Sequence, residues 1–287
     1  MIIIVSVGAD NSTHRKGQTM AKNIEGITEK LETGLKNLLD SENWKEYLKT
    51  LSRFHQYSFN NCILIKMQYP EASRVAGYKT WQSMGRQVRK GEKAISILAP
   101  CPHKKTIEVE KEDGTIELKA VSFTTYRAVN VFDIKQTDGE ELPSICNSLT
   151  GAVENYGKLR EVLAGVAPVP VEDEDIKGGA HGYYSFAENR IAIKRGMSEA
   201  QTIKTTVHEI AHSMMHGANC DREQAEVEAE SVAFTVCQYL GIESGDYSFG
   251  YVASWGNGDM DVLKKSLAAI QKTAHTIIEG IEKGLAA

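Results

Sequence analysis

A chain of 287 residues with 41% hydrophobic and 25% charged side chains can build one large or two ordinary domains and is too apolar for a disordered polyelectrolyte. Its net charge of −5 is unevenly divided: residues 1–150 carry 21 basic and 18 acidic side chains and the remainder 12 and 20, so a basic module precedes an acidic one. No run of eighteen apolar residues occurs, which excludes a membrane-spanning helix, and five cysteines without a C-x-x-C pair read as reduced thiols of a cytoplasmic protein.

Residues 1–19 begin with an apolar run lacking a cationic flank and continue as polar sequence; they are set aside as a disordered extension, with Met20 an alternative start. Helical spacing follows at Ile27, Leu31, Leu35 and Leu38, and Ser41 is read as the cap of a second helix carrying Trp44, Tyr47, Leu48, Leu51 and Phe54. A segment from Tyr57 stops at Pro70. Gly77 to Trp81 and Ile95 to Leu98 read as short strands, Lys104 to Val121 as a hairpin turning at Asp113-Gly114, and Val129 to Asp133 as another strand. The sum is a small α+β domain over residues 20–143.

Between Arg53 and Lys93 eight basic residues face only two acidic ones. Arg86, Arg89, Lys90 and Lys93 cluster around glycines, which let phosphates approach the backbone. Tyr57, Tyr78 and Trp81 are interleaved as base-stacking requires, and Asn60, Asn61 and Gln68 can hydrogen-bond bases or sugars. This pattern fits a localised groove for single-stranded nucleic acid; a solvated turn is the competing reading.

Residues 144–150 are read as a link to a second domain over 150–287. Pro168 to Asp175 is expected as an acidic loop, and Gly182 to Phe186 with Arg190 to Lys194 as a hairpin turning at Glu188-Asn189. A strand placed there could bind extended substrate at its edge or simply pack on the next helix. That helix begins at Ser198-Glu199-Ala200-Gln201, a capping box, and contains His208-Glu209-Ile210-Ala211-His212, an H-E-x-x-H motif. On a helix the two histidines project from one face a turn apart, so both can reach one zinc ion at ~2.0–2.1 Å. Glu209 then lies where its carboxylate can take a proton from water activated by the metal.

The third ligand is sought in Glu226 to Glu230, at the start of an apolar helix running to Leu240, where carboxylates are costly unless paired with a cation. Glu226 and Glu230 share a helix face. Glu226 is assigned as ligand and Glu230 as outer partner of a ligand histidine, with the reverse as the alternative; Glu228 is expected in solvent. His216 lies ~12 Å along the helix from His208, too far to share a metal, and is read as a helix-end histidine facing the dipole. In the aromatic segment 247–255 a tyrosine could donate to an oxyanion, though core packing competes. An amphipathic helix over residues 261–285 ends the chain, with His275 expected on its surface.

Tyr57-Ser58-x-Asn60-Asn61, Gln68-x-Pro70, Gly77-Tyr78-x-x-Trp81, Gly85-Arg86-x-Val88-x-Lys90-Gly91-Glu92-Lys93 and Phe132-Asp133-x-x-Gln136-Thr137 resemble the N-terminal single-stranded-DNA-binding domain of ArdC-type antirestriction proteins. That family joins this domain to a zincin-like metallopeptidase domain, which His208-Glu209-x-x-His212 and the Glu226–Glu230 segment match; the second domain is also similar to ImmA/IrrE-like and SprT-like proteases. The resemblance implies a protein of plasmids, integrative elements or phages that binds single-stranded DNA and shields incoming DNA from host restriction; joined to the H-E-x-x-H reading, the expectation is a cytoplasmic zinc peptidase that cleaves an unidentified protein with Glu209 as general base. The competing implication is a DNA-coating antirestriction protein whose zinc is structural.

Overall fold

The computed structural model describes residues 25–110, 116–141, 155–217, 220–242, 249 and 260–287, with the backbone path alone for 107–110 and 116–117. A helix over 25–37 (α1) leads to α2 (Ser41–Arg53). The cap of α2 is Asp40 and not Ser41. Its carboxylate accepts from the N–H groups of Glu42 and Asn43 at 3.1 Å, while the Ser41 hydroxyl donates to the Phe249 carbonyl. Trp44, Tyr47, Leu48 and Leu51, on one helical stripe, are all buried. Ser58 caps α3 (Phe59–Gln68).

β1 (Val75–Gly77) runs directly into α4 (Tyr78–Ser83), so most of the stretch expected as a strand is helix. The turn of helix drops Trp81 into the core, where its indole N–H donates to the Phe132 carbonyl at 2.9 Å. β2 (Arg86–Val88) follows. β3 (Ile95–Glu110) and β4 (Ile116–Asp133) then pair antiparallel over their whole length, from Ile95 opposite Val131 to Glu110 opposite Ile116. The pieces expected as separate strands and a short hairpin are therefore one long hairpin. β1 lies on the other edge of β4, and β5 (Thr137–Gly139) pairs with β2. Asp133, fully buried, organises this corner: its carboxylate accepts from the N–H groups of Ser73, Arg74 and Lys135 at 2.7–2.9 Å.

After α5 (Tyr156–Val166), the acidic stretch expected as a loop contains β6 (Val171–Glu174), which pairs in parallel with β8 (Arg190–Lys194). As an edge strand β6 can keep its carboxylates at the surface, where Asp173 meets Arg160 at 2.9 Å and Glu174 meets Arg190 at 3.0 Å. β7 (Gly182–Ser185) takes the opposite edge of β8. The turn between them passes through Asn189 at φ +52°, a conformation asparagine tolerates.

α6 (Glu199–Met215) packs on β7 and β8, and α7 (Arg222–Tyr239) packs on α6. α2 crosses back onto α7, with the Trp44 indole donating to the buried Ser231 hydroxyl at 3.0 Å. α8 (Met260–Ala286) lies against α5 and α7. One continuous apolar cluster runs from Leu35 and Trp44 through Phe234 to Ile281, so α6 and α7 share their core with the N-terminal part. His275 is drawn into this packing and is no surface bystander: its Nδ1 lies 3.0 Å from Nδ1 of the buried His55.

Candidate metal centre

α6 starts at Ser198, whose hydroxyl accepts from the Gln201 N–H, and α7 at Asp221, capping through Gln224 N–H. These two capped helices bring His208, His212 and Glu226 together, with one donor atom from each lying within 4.8 Å of the others. Nε2 of His208 is 3.0 Å from Nε2 of His212, and Glu226 Oε2 is 3.4 Å from the first and 3.8 Å from the second. A tetrahedral ion with bonds of ~2.0–2.1 Å holds its donors roughly 3.3 Å apart, so the three atoms fit one zinc-sized cation with little adjustment.

Glu230 stands on the far side of His208. Its Oε2 lies 3.3 Å from His208 Nδ1, and its Oε1 pairs with Lys204 at 2.9 Å. Glu228 is where the sequence reading fails. It is 6% exposed, with Oε2 2.9 Å from His216 Nε2 and Oε1 receiving Gln224 at 2.8 Å and Ser266 at 2.5 Å. The burial argument made for Glu226 belongs to Glu228 and Glu230, whereas Glu226 is 55% exposed and opens onto the cleft. His216 and Glu228 went unrecognised because the contact joins the end of α6 to a face of α7 that spacing alone does not orient.

Glu209 is 7% exposed on the side of α6 that meets β7. Gly182 makes the approach possible: a Cβ there would lie 2.7 Å from Thr205 Cγ2 and 3.3 Å from Glu209 Cγ. Burial raises the Glu209 pKa to about 7, aided by the Glu226 charge and opposed by His208 and by the backbone N–H of Tyr184. Burial works against a charged His208, but Glu226 and Glu230 outweigh it and carry its pKa up to about 9. Burial lowers His212, and the hydrogen bonds from His208 and His212 hold Glu226 far below the usual carboxylate range. The donors line a cleft of about 660 Å³ walled by Tyr183, Tyr184 and Phe186 of the β7 hairpin and by Arg222. The tyrosines of the segment 247–255 lie outside the described residues.

The residues expected to touch nucleic acid divide sharply. Trp81 has no exposed surface and cannot stack on a base. Asn61 cannot read one either, because its amide both donates to the Leu98 carbonyl and accepts from the Leu98 N–H at 2.9 Å. Gln68 bridges to Ser96 in the same way, and Tyr57 donates to the Val75 carbonyl. Arg86 holds β5 through Thr137, and Arg89 is neutralised by Glu92 at 2.8 Å and Asp138 at 3.3 Å. Asn60 is half-buried on α3. Besides the ion-paired Arg89, what faces solvent is Lys90, Lys93 and Tyr78, the last 43% exposed beside Lys90 in a shallow cleft that Phe132 also lines.

Residues 18–132 match the family model described as the N-terminal domain of anti-restriction factor ArdC. Over 94% of its length the chain is 27% identical to pXO2-81, an uncharacterized protein of Bacillus anthracis, and it spans about half the length of that curated relative, 53%. The Mn(II)-bound crystal structure of antirestriction protein ArdC from plasmid R388 is 20% identical, with a TM-score of 0.54 over 88% of this chain and 97% of that one. The metal-free structure of the same protein is 23% identical, with a TM-score of 0.49 over 79% and 86%. The likeness to the Mn(II)-bound structure is one of fold.

Proposed function

We propose that this ArdC-type protein is an antirestriction metallopeptidase that works in association with single-stranded DNA. The observation that carries the peptidase reading is the convergence of His208, His212 and Glu226 on one cation-sized point, with Glu209 buried beside it at the wall of an open cleft. Two imidazoles and one carboxylate suit zinc, and R388 ArdC, similar in fold, has a Mn(II)-bound structure, which supports a divalent ion as the metal of this chain. A cation held there supplies Lewis acidity toward a peptide carbonyl and toward water.

The chain's own groups do the rest. Glu209, whose pKa burial raises to about 7 in the metal-free chain, is placed to accept the proton of the attacking water and to return it to the departing amine. β7, at the sheet edge beside α6, offers backbone groups to an extended polypeptide, and Phe186, 60% exposed, extends the wall. DNA association is assigned to Tyr78, Lys90 and Lys93, a stacking ring with two cations that make no ion pair among the described residues.

Replacing Glu209 with Gln tests the reading. The variant should keep metal and DNA and lose all cleavage, of itself or of a DNA-bound protein, with single-stranded DNA present or absent. Cleavage at the wild-type rate would remove Glu209 from the reaction. Full antirestriction protection by a cleavage-dead variant would instead establish the second reading, a DNA-coating protein with a structural metal.

A further inference from the structure

His216 closes α6, a full helical turn past His212, and its side chain is only 8% exposed. Its Nδ1 lies 2.9 Å from Nδ1 of His212, and its Nε2 lies 2.9 Å from Oε2 of Glu228. Glu228 is fixed in turn, because its other oxygen receives Gln224 from its own helix and Ser266 from α8. Four side chains from three helices thus form an unbroken hydrogen-bonded line that ends on the back of a donor ring.

The direction of each hydrogen bond follows from the chemistry of the groups. An ionised carboxylate only accepts, so the proton between Glu228 and His216 sits on His216 Nε2. A neutral imidazole has one N–H, which leaves His216 Nδ1 as a lone pair that can only accept from His212 Nδ1–H. His212 then has its own lone pair on Nε2, the atom that faces His208 Nε2 and Glu226. The opposite tautomer would put a hydrogen on Nε2 and close that position to a cation. From these contacts we infer that the buried Glu228–His216 pair is a positioning device that sets the tautomer and ring orientation of His212 for metal ligation.

The device makes the two histidines equivalent in support though not in means. α7 backs His208 directly through Glu230 and backs His212 through His216. The direct carboxylate contact is the familiar arrangement; a second histidine interposed between carboxylate and ligand is what this chain adds. His216 also fills the space at the helix end, so a smaller side chain would leave a cavity there.

The inference rests on the metal-centre reading above, and its test separates the two. In the full chain, labelled with ¹⁵N-histidine and stripped of metal, His212 should carry its proton on Nδ1 and His216 on Nε2; the reverse assignment at either ring overturns the inference. His216→Phe keeps the ring volume and removes the acceptor. Titrated with Zn²⁺ alone, the folded variant should bind about 10–100-fold more weakly than wild type, and its unfolding temperature should fall because the buried Glu228 loses one partner. Wild-type zinc affinity in the folded variant would overturn the inference, and if that variant does not fold the tautomer measurement on the unaltered chain decides alone. A wild-type chain with the expected tautomers but no zinc affinity would sink the metal-centre reading while supporting the hydrogen-bonded device.

Discussion

Glu230 and Glu226 meet the same histidine from opposite sides: Glu230 Oε2 is 3.3 Å from His208 Nδ1, and Glu226 Oε2 is 3.4 Å from His208 Nε2. Only the Nε2 side also faces His212, so Glu226 is the carboxylate that can complete a donor triangle, while Glu230 can only orient the ring. Metal analysis should therefore find one zinc per chain, lost in His208→Ala and in Glu226→Ala. Glu230→Ala should retain the site with affinity weakened about 10–100-fold. Zinc lost from Glu230→Ala and kept by Glu226→Ala would reverse the two assignments.

Metal uptake should be linked to protons, chiefly at His208. Without metal its pKa stands at about 9, so below that pH a cation must displace a proton before His208 can ligate. Apparent zinc affinity should rise about tenfold per pH unit from 7 to 9 and then level off. The effect on stability runs the other way. A histidine with a raised folded pKa contributes stability that is complete below its ordinary value of 6.5 and is lost as pH climbs through 9. Thermal unfolding of the metal-free chain should thus fall across that window, and a flat profile would remove the Glu226–His208–Glu230 cluster as its cause.

Much of the candidate metal centre's geometry is legible in the sequence because a helix converts sequence spacing into direction. An offset of four from His208 to His212, and a capping serine ten residues before the first, suffice to place two imidazoles on one face. Glu228 was misplaced for the converse reason: alternate residues on a helix diverge in direction, and which neighbour meets the off-face residue depends on how α6 and α7 cross. The basic stretch shows the same limit. Its motif residues are visible in the sequence, but whether an arginine faces phosphate or a carbonyl is decided by β5 and the 134–136 turn, some fifty residues away. Trp81 reads as a stacking ring until the backbone turns it inward.

That division makes a specific expectation for DNA. Lys90→Ala with Lys93→Ala should weaken single-strand binding and reduce its salt dependence without altering the unfolding temperature. Tyr78→Ala should lose about 1–3 kcal/mol of binding if the ring stacks on a base. Trp81→Ala, in contrast, empties a fully buried site and should destabilise the fold by about 3–5 kcal/mol. Filter or anisotropy binding alongside thermal melts separates the two classes. A folded Trp81→Ala chain with a selective DNA defect would put this assignment of the surface in error.

Gly182 links the strand edge to the side of α6 that carries Glu209, and it does so by having no side chain. The added methyl of Gly182→Ala would lie 2.7 Å from Thr205 Cγ2, 3.0 Å from the Ala192 carbonyl and 3.3 Å from Glu209 Cγ. Neither the helix nor β8 can retreat without loosening the sheet, so the variant should be destabilised by about 1–3 kcal/mol. β7 would also shift relative to Glu209 and carry the Tyr184 N–H away from its carboxylate, so cleavage should fall further than stability does. Thr205→Ser removes the nearest of the three clashing atoms and keeps the hydroxyl that receives Gln201. The double variant Gly182→Ala, Thr205→Ser should therefore recover part of both losses, measured by thermal unfolding and by cleavage of one reporter polypeptide. Simple additivity of the two substitutions would show that the contact between β7 and α6 does not set the position of Glu209.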